Sequence, residues 1–306
     1  MADIDWEAIT REELGEFTTS ELPPTLKLPA LPHAATAFVQ KANEPDVSID
    51  ELARIIETDS GLTTELLKYV NSSFVGLRSK AKTVAHTLTL LGRKQARMHI
   101  ISTATQAAVR AKKSKLINQA SFWNSSLQKA LFAREVAKLL KADGELAFAG
   151  GLLQDYLLPV ISNELMEPYL DFVSNRDDKP TCLTEYERQM FNWDHPKAAA
   201  GLAMRWHLPP DLVCCILFHH YGLKILGHKQ LGRTAAAAVA VSALLPDELR
   251  QQKLGLEQLA KLGQKWTAFD LAKLAETVDQ RQEEVGLGVK NSFPLARLCK
   301  PILAAV

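Results

Sequence analysis

The chain has 306 residues, 47% of them hydrophobic and 23% charged, with 36 Lys and Arg against 35 Asp and Glu. This is the composition of a globular protein with a buried core, and it excludes collagen-like, disulfide-framework and disordered chains. Charged or Gln residues interrupt each apolar run before membrane-spanning length, and the acidic start through Asp3, Asp5 and Glu7 lacks the order of a secretory signal, so a cytoplasmic protein without membrane contact is expected.

Residues 1–24, ending at Leu22-Pro23-Pro24, read as an acidic arm. Ser48 and Glu51 have capping-box spacing, and Ile49, Leu52, Ala53 and Ile56 share the helical face that follows. Asp59 or Ser60 is placed to cap the next helix, through Leu62, Leu66, Leu67 and Val70, which stops at Asn71-Ser72-Ser73. Val84, Leu88 and Leu91 mark another helix, and Gly92 ends or bends it. Residues 93–111 continue with Ala96, Ile100, Thr103 and Ala107 on one side. Ser121 opens a helix that closes at Ala142-Asp143-Gly144. The segment Gly150-Gly151-Leu152-Leu153-Gln154-Asp155 comes next, and Pro159 is placed to end or kink its helix. Residues 174–183 read as an exposed loop.

Thr184-Glu185-Tyr186-Glu187 reads as a second capping box, and Asp194 and Pro196 as cap and first-turn proline of a helix over 198–206. Pro209-Pro210-Asp211 starts a helix with Leu212, Cys215, Ile216 and His219 on one face. Residues 235–245 are apolar almost all round, so burial is expected. Two more helices are predicted around 249–263 and 269–284. No alternating strand pattern occurs, and the predicted fold class is all-α.

Four cysteines, Cys182, Cys214, Cys215 and Cys299, form no C-x-x-C pair and read as reduced thiols. The charge is unevenly laid out. Residues 1–65 carry 14 acidic and 4 basic side chains, a balance of −10. From Leu66 to Arg134 there are 13 basic side chains and no Asp or Glu. Such a block meets an anionic partner, or the acidic N-terminal part docks on it within the molecule. Arg78, Lys80, Arg93, Lys94 and Arg97 are its candidate anion-binding residues. Few aromatics interleave with them, which argues against a base-stacking platform.

The order of motifs resembles the HDOD domain (HD-related output domain). The resemblance runs over most of residues 25–245. It is carried by Leu28-Pro29-Ala30-Leu31-Pro32-His33, by 52–59 leading into Leu66-Leu67-Lys68-Tyr69-Val70-Asn71-Ser72, by Phe74-Val75-Gly76-Leu77 and by Thr87-Leu88-Thr89-Leu90-Leu91-Gly92. Phe122-Trp123, Gly151-Leu152-Leu153, His195, Gly201-Leu202-Ala203, Trp206-His207-Leu208-Pro209 and His219-His220 follow in order. The resemblance implies an HD-like multi-helix bundle (116–245) with an N-terminal helical part (25–115), leaving 1–24 as the arm and 246–306 as a helical extension. It also implies a bacterial signalling context.

HDOD domains are similar to HD phosphohydrolases, which hold a divalent ion through an early histidine, a His-Asp pair and a late aspartate. Such an ion lowers the pKa of bound water and polarises a phosphoryl oxygen. By the resemblance, these positions hold Ser125, Gln154-Asp155 and a residue near Ser242. Three of the four donors are absent, since no acidic residue lies between Tyr221 and Pro246. Gln154, Asp155, His195, His219 and His220 then mark a vestigial pocket, with no catalytic residue and no cofactor expected. In the alternative, Asp155, His195, His219 and His220 retain a divalent metal ion. P-loop, G-x-S-x-G and G-x-G-x-x-G patterns are missing.

The expected function is a non-catalytic signalling or regulatory module that binds a partner protein or a small anionic signal. A metal-dependent phosphohydrolase with a reduced ligand set is the first alternative. A nucleotide or nucleic-acid binder using residues 68–134 is the second.

Overall fold

The computed structural model describes residues 4–44, 46–72, 75–76, 80–110, 112, 114–175, 182–285 and 293–305, and among these it has sixteen α-helices, two 3₁₀ helices and no strand. In chain order the α-helices are α1 (Trp6–Leu14), α2 (His33–Lys41), α3 (Ile49–Glu57), α4 (Ser60–Val70), α5 (Val84–Arg110), α6 (Gln119–Leu140), α7 (Gly144–Leu153) and α8 (Leu158–Glu164). They continue with α9 (Met166–Asn175), α10 (Leu183–Phe191), α11 (His195–Arg205), α12 (Pro210–Leu217), α13 (Ala235–Ser242), α14 (Gly255–Lys265), α15 (Leu271–Val285) and α16 (Leu295–Ala304). A 3₁₀ segment, His219–Gly227, joins α12 to α13.

Local chemistry accounts for most of these boundaries. Ser48 Oγ accepts from Glu51 N at 3.1 Å while the Glu51 carboxylate accepts from Ser48 N at 3.0 Å, so the expected capping box starts α3. Asp59 caps α4 on Leu62 N. Gly92, with φ 74°, interrupts α5 in the left-handed region that its missing Cβ opens to it. The next helix opens two residues before Ser121, because Asn118 is the cap and accepts from Ser121 N.

Three expectations fail for tertiary reasons. Pro159 does not end a helix: α7 stops at Leu153, a turn over 154–157 intervenes, and Pro159 sits in the first turn of α8, where no intrahelical donor is needed. Thr184 and Glu187 form no capping box; Cys182 is the N-cap position of α10, and Glu187 turns inward. The helix expected from 249 begins only at Gly255. The residues before it cross the end of α13 as a strap. A Cβ on Gly255 would lie 2.0 Å from the Leu244 carbonyl oxygen, and Arg250 adopts φ 48°. Of the loop expected at 174–183, residues 176–181 lie outside the described residues.

Two apolar clusters form. The smaller joins α2, α3, α4 and one side of α5 through Phe38, Leu52, Ile56, Leu66, Leu88 and Ile100. The larger is centred on α6, α7, α12 and α13, with Phe132, Val136, Leu153, Tyr156, Ile216 and Val239 fully or almost fully buried. Its outer parts include Leu14 of α1 and Leu22, so the acidic first residues pack against the body. All eight residues of α13 are buried, and Trp123, Trp193 and Trp206 are core side chains.

The approach of α6 to α7 places the functional region, and Gly151 permits it. A Cβ there would meet Ala130 Cα at 2.8 Å and the Lys129 carbonyl oxygen at 3.0 Å, both backbone atoms that cannot rotate away. Helix propensity alone favours alanine by about 1 kcal/mol. We expect overpacking to win and Gly151→Ala to lower stability by about 1–3 kcal/mol, read by urea denaturation. Between α4 and α5, His99 stacks on Tyr69 with ring centroids 3.9 Å apart. Burial lowers its pKa to about 4, against a smaller opposing effect of Glu65. Between about 6.5 and about 4 the unfolded chain therefore binds a proton that the native chain does not, so stability falls as pH falls through that window. His99→Phe, which keeps the stack without titrating, is expected to lose this part of the acid sensitivity in thermal melts from pH 7 to 4.

Candidate functional site

Five elements converge on Asp155, the first charged residue after α7. Its carboxylate is buried and shared between two sets of partners. Oδ2 accepts from Lys129 Nζ of α6 at 2.9 Å and from the Gln154 amide at 3.3 Å. Oδ1 accepts from Gln251 Nε2 of the strap at 3.1 Å and faces His219 Nε2 at 3.3 Å and His195 Nε2 at 3.4 Å. Lys129, 2% exposed, also reaches Asp247 Oδ2 on the strap at 3.0 Å.

The histidines are held from behind. Glu187, buried on α10, accepts from Tyr169 OH through Oε1 and from both His195 N (2.9 Å) and His195 Nδ1–H (2.7 Å) through Oε2. His219 Nδ1–H donates to the Ile216 carbonyl oxygen at 2.6 Å. His220 sits between two strap amides: Gln252 Nε2 donates to its Nδ1 at 3.1 Å, and its Nε2–H donates to Gln251 Oε1 at 3.0 Å. Asp194 caps α11 on Lys197 N, which sets His195 at the inner start of that helix.

Electrostatics follow from enclosure. Burial works against the charged form of Asp155, yet Lys129 and the two histidines hold its pKa well below the usual carboxylate range. Burial likewise opposes the Lys129 ammonium, and Asp155 and Asp247 more than offset it, so Lys129 stays charged. Burial lowers the His195 pKa, but Glu187 and Asp155 outweigh that and raise it to about 10. His220 goes the other way, kept neutral by burial and its histidine neighbours. The cavity against Lys129, Asp155, Asp247 and Gln251 has a volume of only about 10 Å³.

The four-donor hydrolase site does not fit these residues. Ser125 Oγ donates to the Glu248 carboxylate at 3.0 Å and to the Phe122 carbonyl oxygen. Gln154 spends its amide hydrogen on Asp155, while its Oε1 is buried without a partner. Ser242 Oγ donates to the Val239 carbonyl oxygen. Asp155, His195, His219 and His220, by contrast, bring one donor atom each within 4.8 Å of one another. The five residues expected to mark a pocket are thus gathered at one place.

Lys129, Glu187, Asp247 and Gln251 are the members that sequence reading missed. Lys129 had one signal: it shares a buried face of α6 with Phe122, Ser126, Ala133 and Val136. Asp247 lies one residue beyond Pro246, outside the 235–245 segment in which the resemblance places the late carboxylate.

The basic block meets internal partners. Among the described residues its ion pairs between elements run from Lys94 to Asp143, Arg134 to Glu145 and Lys129 to Asp155 and Asp247. Of the anion-binding candidates, Arg78 lies outside the described residues. Arg93, Lys94 and Arg97 line one cleft of about 710 Å³, which they share with Asp5, Glu7 and Asp211. Lys80 is not among its lining residues. All four cysteines are free thiols. No described helix is long and apolar enough to cross a membrane.

Removing the ammonium leaves two carboxylates buried side by side. We expect Lys129→Ala to cost about 3–5 kcal/mol, as for breaking other buried ion pairs, and the double change to Lys129→Met with Asp247→Leu to recover part of that loss. Chemical denaturation of both variants reads the difference.

The same architecture occurs in solved structures. An HDOD domain protein of unknown function from Geobacter sulfurreducens is 20% identical with a TM-score of 0.60, covering 98% of this chain and 95% of its own. A protein described as "Putative phosphohydrolase" from Shewanella amazonensis SB2B is 19% identical with a TM-score of 0.61, covering 94% and 100%. A protein described as "Putative signal transduction protein" from Marinobacter aquaeolei VT8 is 17% identical with a TM-score of 0.59, covering 94% and 67%. Identities this low establish a shared fold. An uncharacterized protein of Treponema pallidum (strain Nichols) is 25% identical over 198 residues, which is 63% of this chain but only 37% of that protein's length. The HDOD domain profile matches residues 28–221, and with the helical order and the His195, His219 and His220 cluster in place, the chain belongs to the HDOD domain family.

Proposed function

We propose that this chain is a non-catalytic signalling or regulatory module, acting through a partner protein or a small anionic signal and not through hydrolysis. The observation that carries this reading is the closure of the site. Asp155 is committed to Lys129, Gln154 and Gln251, and the adjoining cavity of about 10 Å³ has no room for a phosphate ester. Ligand sites in enzymes are of the order of 300–1,000 Å³. The fold shared with a protein described as "Putative signal transduction protein" adds support at the level of family context.

The strap supplies a route for a signal. Asp247 and Gln252 contact the buried cluster, and with Arg250 and Lys253 they also line an outer cleft of about 300 Å³ with Phe172, Leu256 and Ile302. A partner or anion seated in that cleft would touch the cluster's cover without entering it. The reduced-ligand phosphohydrolase draws on the donors of Asp155, His195, His219 and His220, but the adjoining cavity of about 10 Å³ does not admit its substrate. The nucleic-acid reading draws on the 68–134 block, where Lys94, Lys129 and Arg134 already face carboxylates.

With Mn²⁺, Mg²⁺ or Zn²⁺ supplied, we expect the purified chain to hydrolyse phosphomonoesters and cyclic dinucleotides no faster than buffer containing the same ion. Turnover that disappears in Asp155→Ala would sink the non-catalytic reading.

A further inference from the structure

The cleft of about 710 Å³ lies where the start of α1, the middle of α5 and the start of α12 meet. Its size is that of a small-molecule site. Three basic and three acidic side chains line it, and most of them are engaged by other groups. Lys94 pairs with Asp143 and Glu7 with Arg11. Arg93 donates to the Glu44 carbonyl oxygen, and Asp5 caps α1 on Ala8 N.

Arg97 and Asp211 remain. No hydrogen bond or ion pair joins the Arg97 side chain to another described residue, and its Nε–H is buried without an acceptor. Asp211 Oδ1 accepts from the Leu212 amide at 2.9 Å, and Oδ2 has no partner among the described residues. Each of the two feels the other's charge, yet they do not meet as an ion pair. Burial lowers the Arg97 pKa and raises that of Asp211, so both charges stay short of compensation.

Such a pair discriminates between ligand classes. A phosphate or another polyanion would gain Arg97 but meet Asp211 and Asp5 as like charges. A simple amine would gain Asp211 and be repelled by Arg97. A molecule with a carboxylate beside an ammonium brings a counter-charge to both at once. Guanidinium and carboxylate have matching fork geometries, and an ammonium offers three donors to a carboxylate. Beside the charges the lining is apolar, with half-buried Trp6 next to Ile4, Met98, Leu208 and Pro209. That surface suits an apolar or aromatic side chain.

We propose that this cleft binds a free α-amino acid with an apolar side chain, its carboxylate on Arg97, its ammonium on Asp211 and its side chain against Trp6. Bound there, the amino acid ties the acidic arm to α5 and α12. The site lies apart from the Asp155 cluster, so a hydrolytic protein leaves this proposal intact, and a failure to bind leaves the non-catalytic reading intact.

The test titrates the full chain by calorimetry with L-leucine, L-phenylalanine and the other common L-amino acids up to about 10 mM, a range that reads a Kd of about 1 mM. The tightest binder is then compared with its analogue lacking the ammonium, its analogue lacking the carboxylate, and inorganic phosphate. We expect one molecule per chain with a Kd of about 1 mM or tighter. Each analogue should bind about tenfold more weakly or worse, Arg97→Met should weaken binding by about 30-fold or more, and Asp211→Asn by about tenfold or more. Arg250→Ala, on the other cleft, should change it by less than about twofold. Absence of binding by every amino acid overturns the proposal, as does affinity that survives Arg97→Met unchanged. An ammonium-free analogue or inorganic phosphate that binds as tightly as the amino acid also overturns it, because the cleft is then a plain anion site. Should Arg97→Met or Asp211→Asn fail to fold, the comparison of amino acid and analogues on the wild-type chain decides alone.

Discussion

A buried ammonium between two buried carboxylates is the constraint on which the rest of the site depends. Removing Lys129, Asp155 and Asp247 from water costs several kcal/mol per ion, and the cost is offset only if each charge keeps close partners. Asp155 and Asp247 both reach the Lys129 ammonium, one from the turn after α7 and one from the strap after α13. Keeping Lys129 satisfied therefore ties the strap to the helical core. It also explains why residues 246–254 do not join α14: a helix there would carry Asp247 and Gln251 away from their partners.

Around that triad lies a second layer of fixed hydrogen bonds. Glu187 accepts from Tyr169, from the His195 backbone and from the His195 ring, so one carboxylate joins α9, α10 and α11. Each buried polar group in such a network must find its partner or bear its full desolvation cost, which makes the arrangement stiff. Stiffness and enclosure have a functional consequence. On the proposed reading, a small change at the strap would be felt by every member of the cluster. Asp247, Arg250 and Gln252 of the strap also line the outer cleft.

Legibility in the sequence followed the range of the interactions. The caps at Ser48, Asp59 and Asp194 and the break at Gly92 were readable, because a cap is decided by atoms three residues apart. The family motifs were readable for a related reason, as they preserve order and spacing along the chain. Glu187 was misread because its capping-box spacing from Thr184 was the same whether it turned back to the helix or inward to His195. Lys129 and Asp247, 118 residues apart, gave no sign of each other. Lys129 was counted with a basic block whose other members are mostly at the surface.

The amino-acid order alone determined an all-helical chain, the identity of its family, and the loss of donors at Ser125 and Gln154, since these follow from periodicity, motif order and residue type. Tertiary structure alone decided what took their place. The pairing of Lys129 with Asp155 and Asp247, the turn of Glu187 behind His195 and the closing of the strap over His220 each require groups from distant segments to meet in a space without water. Only there do their charges and lone pairs have no partner but one another.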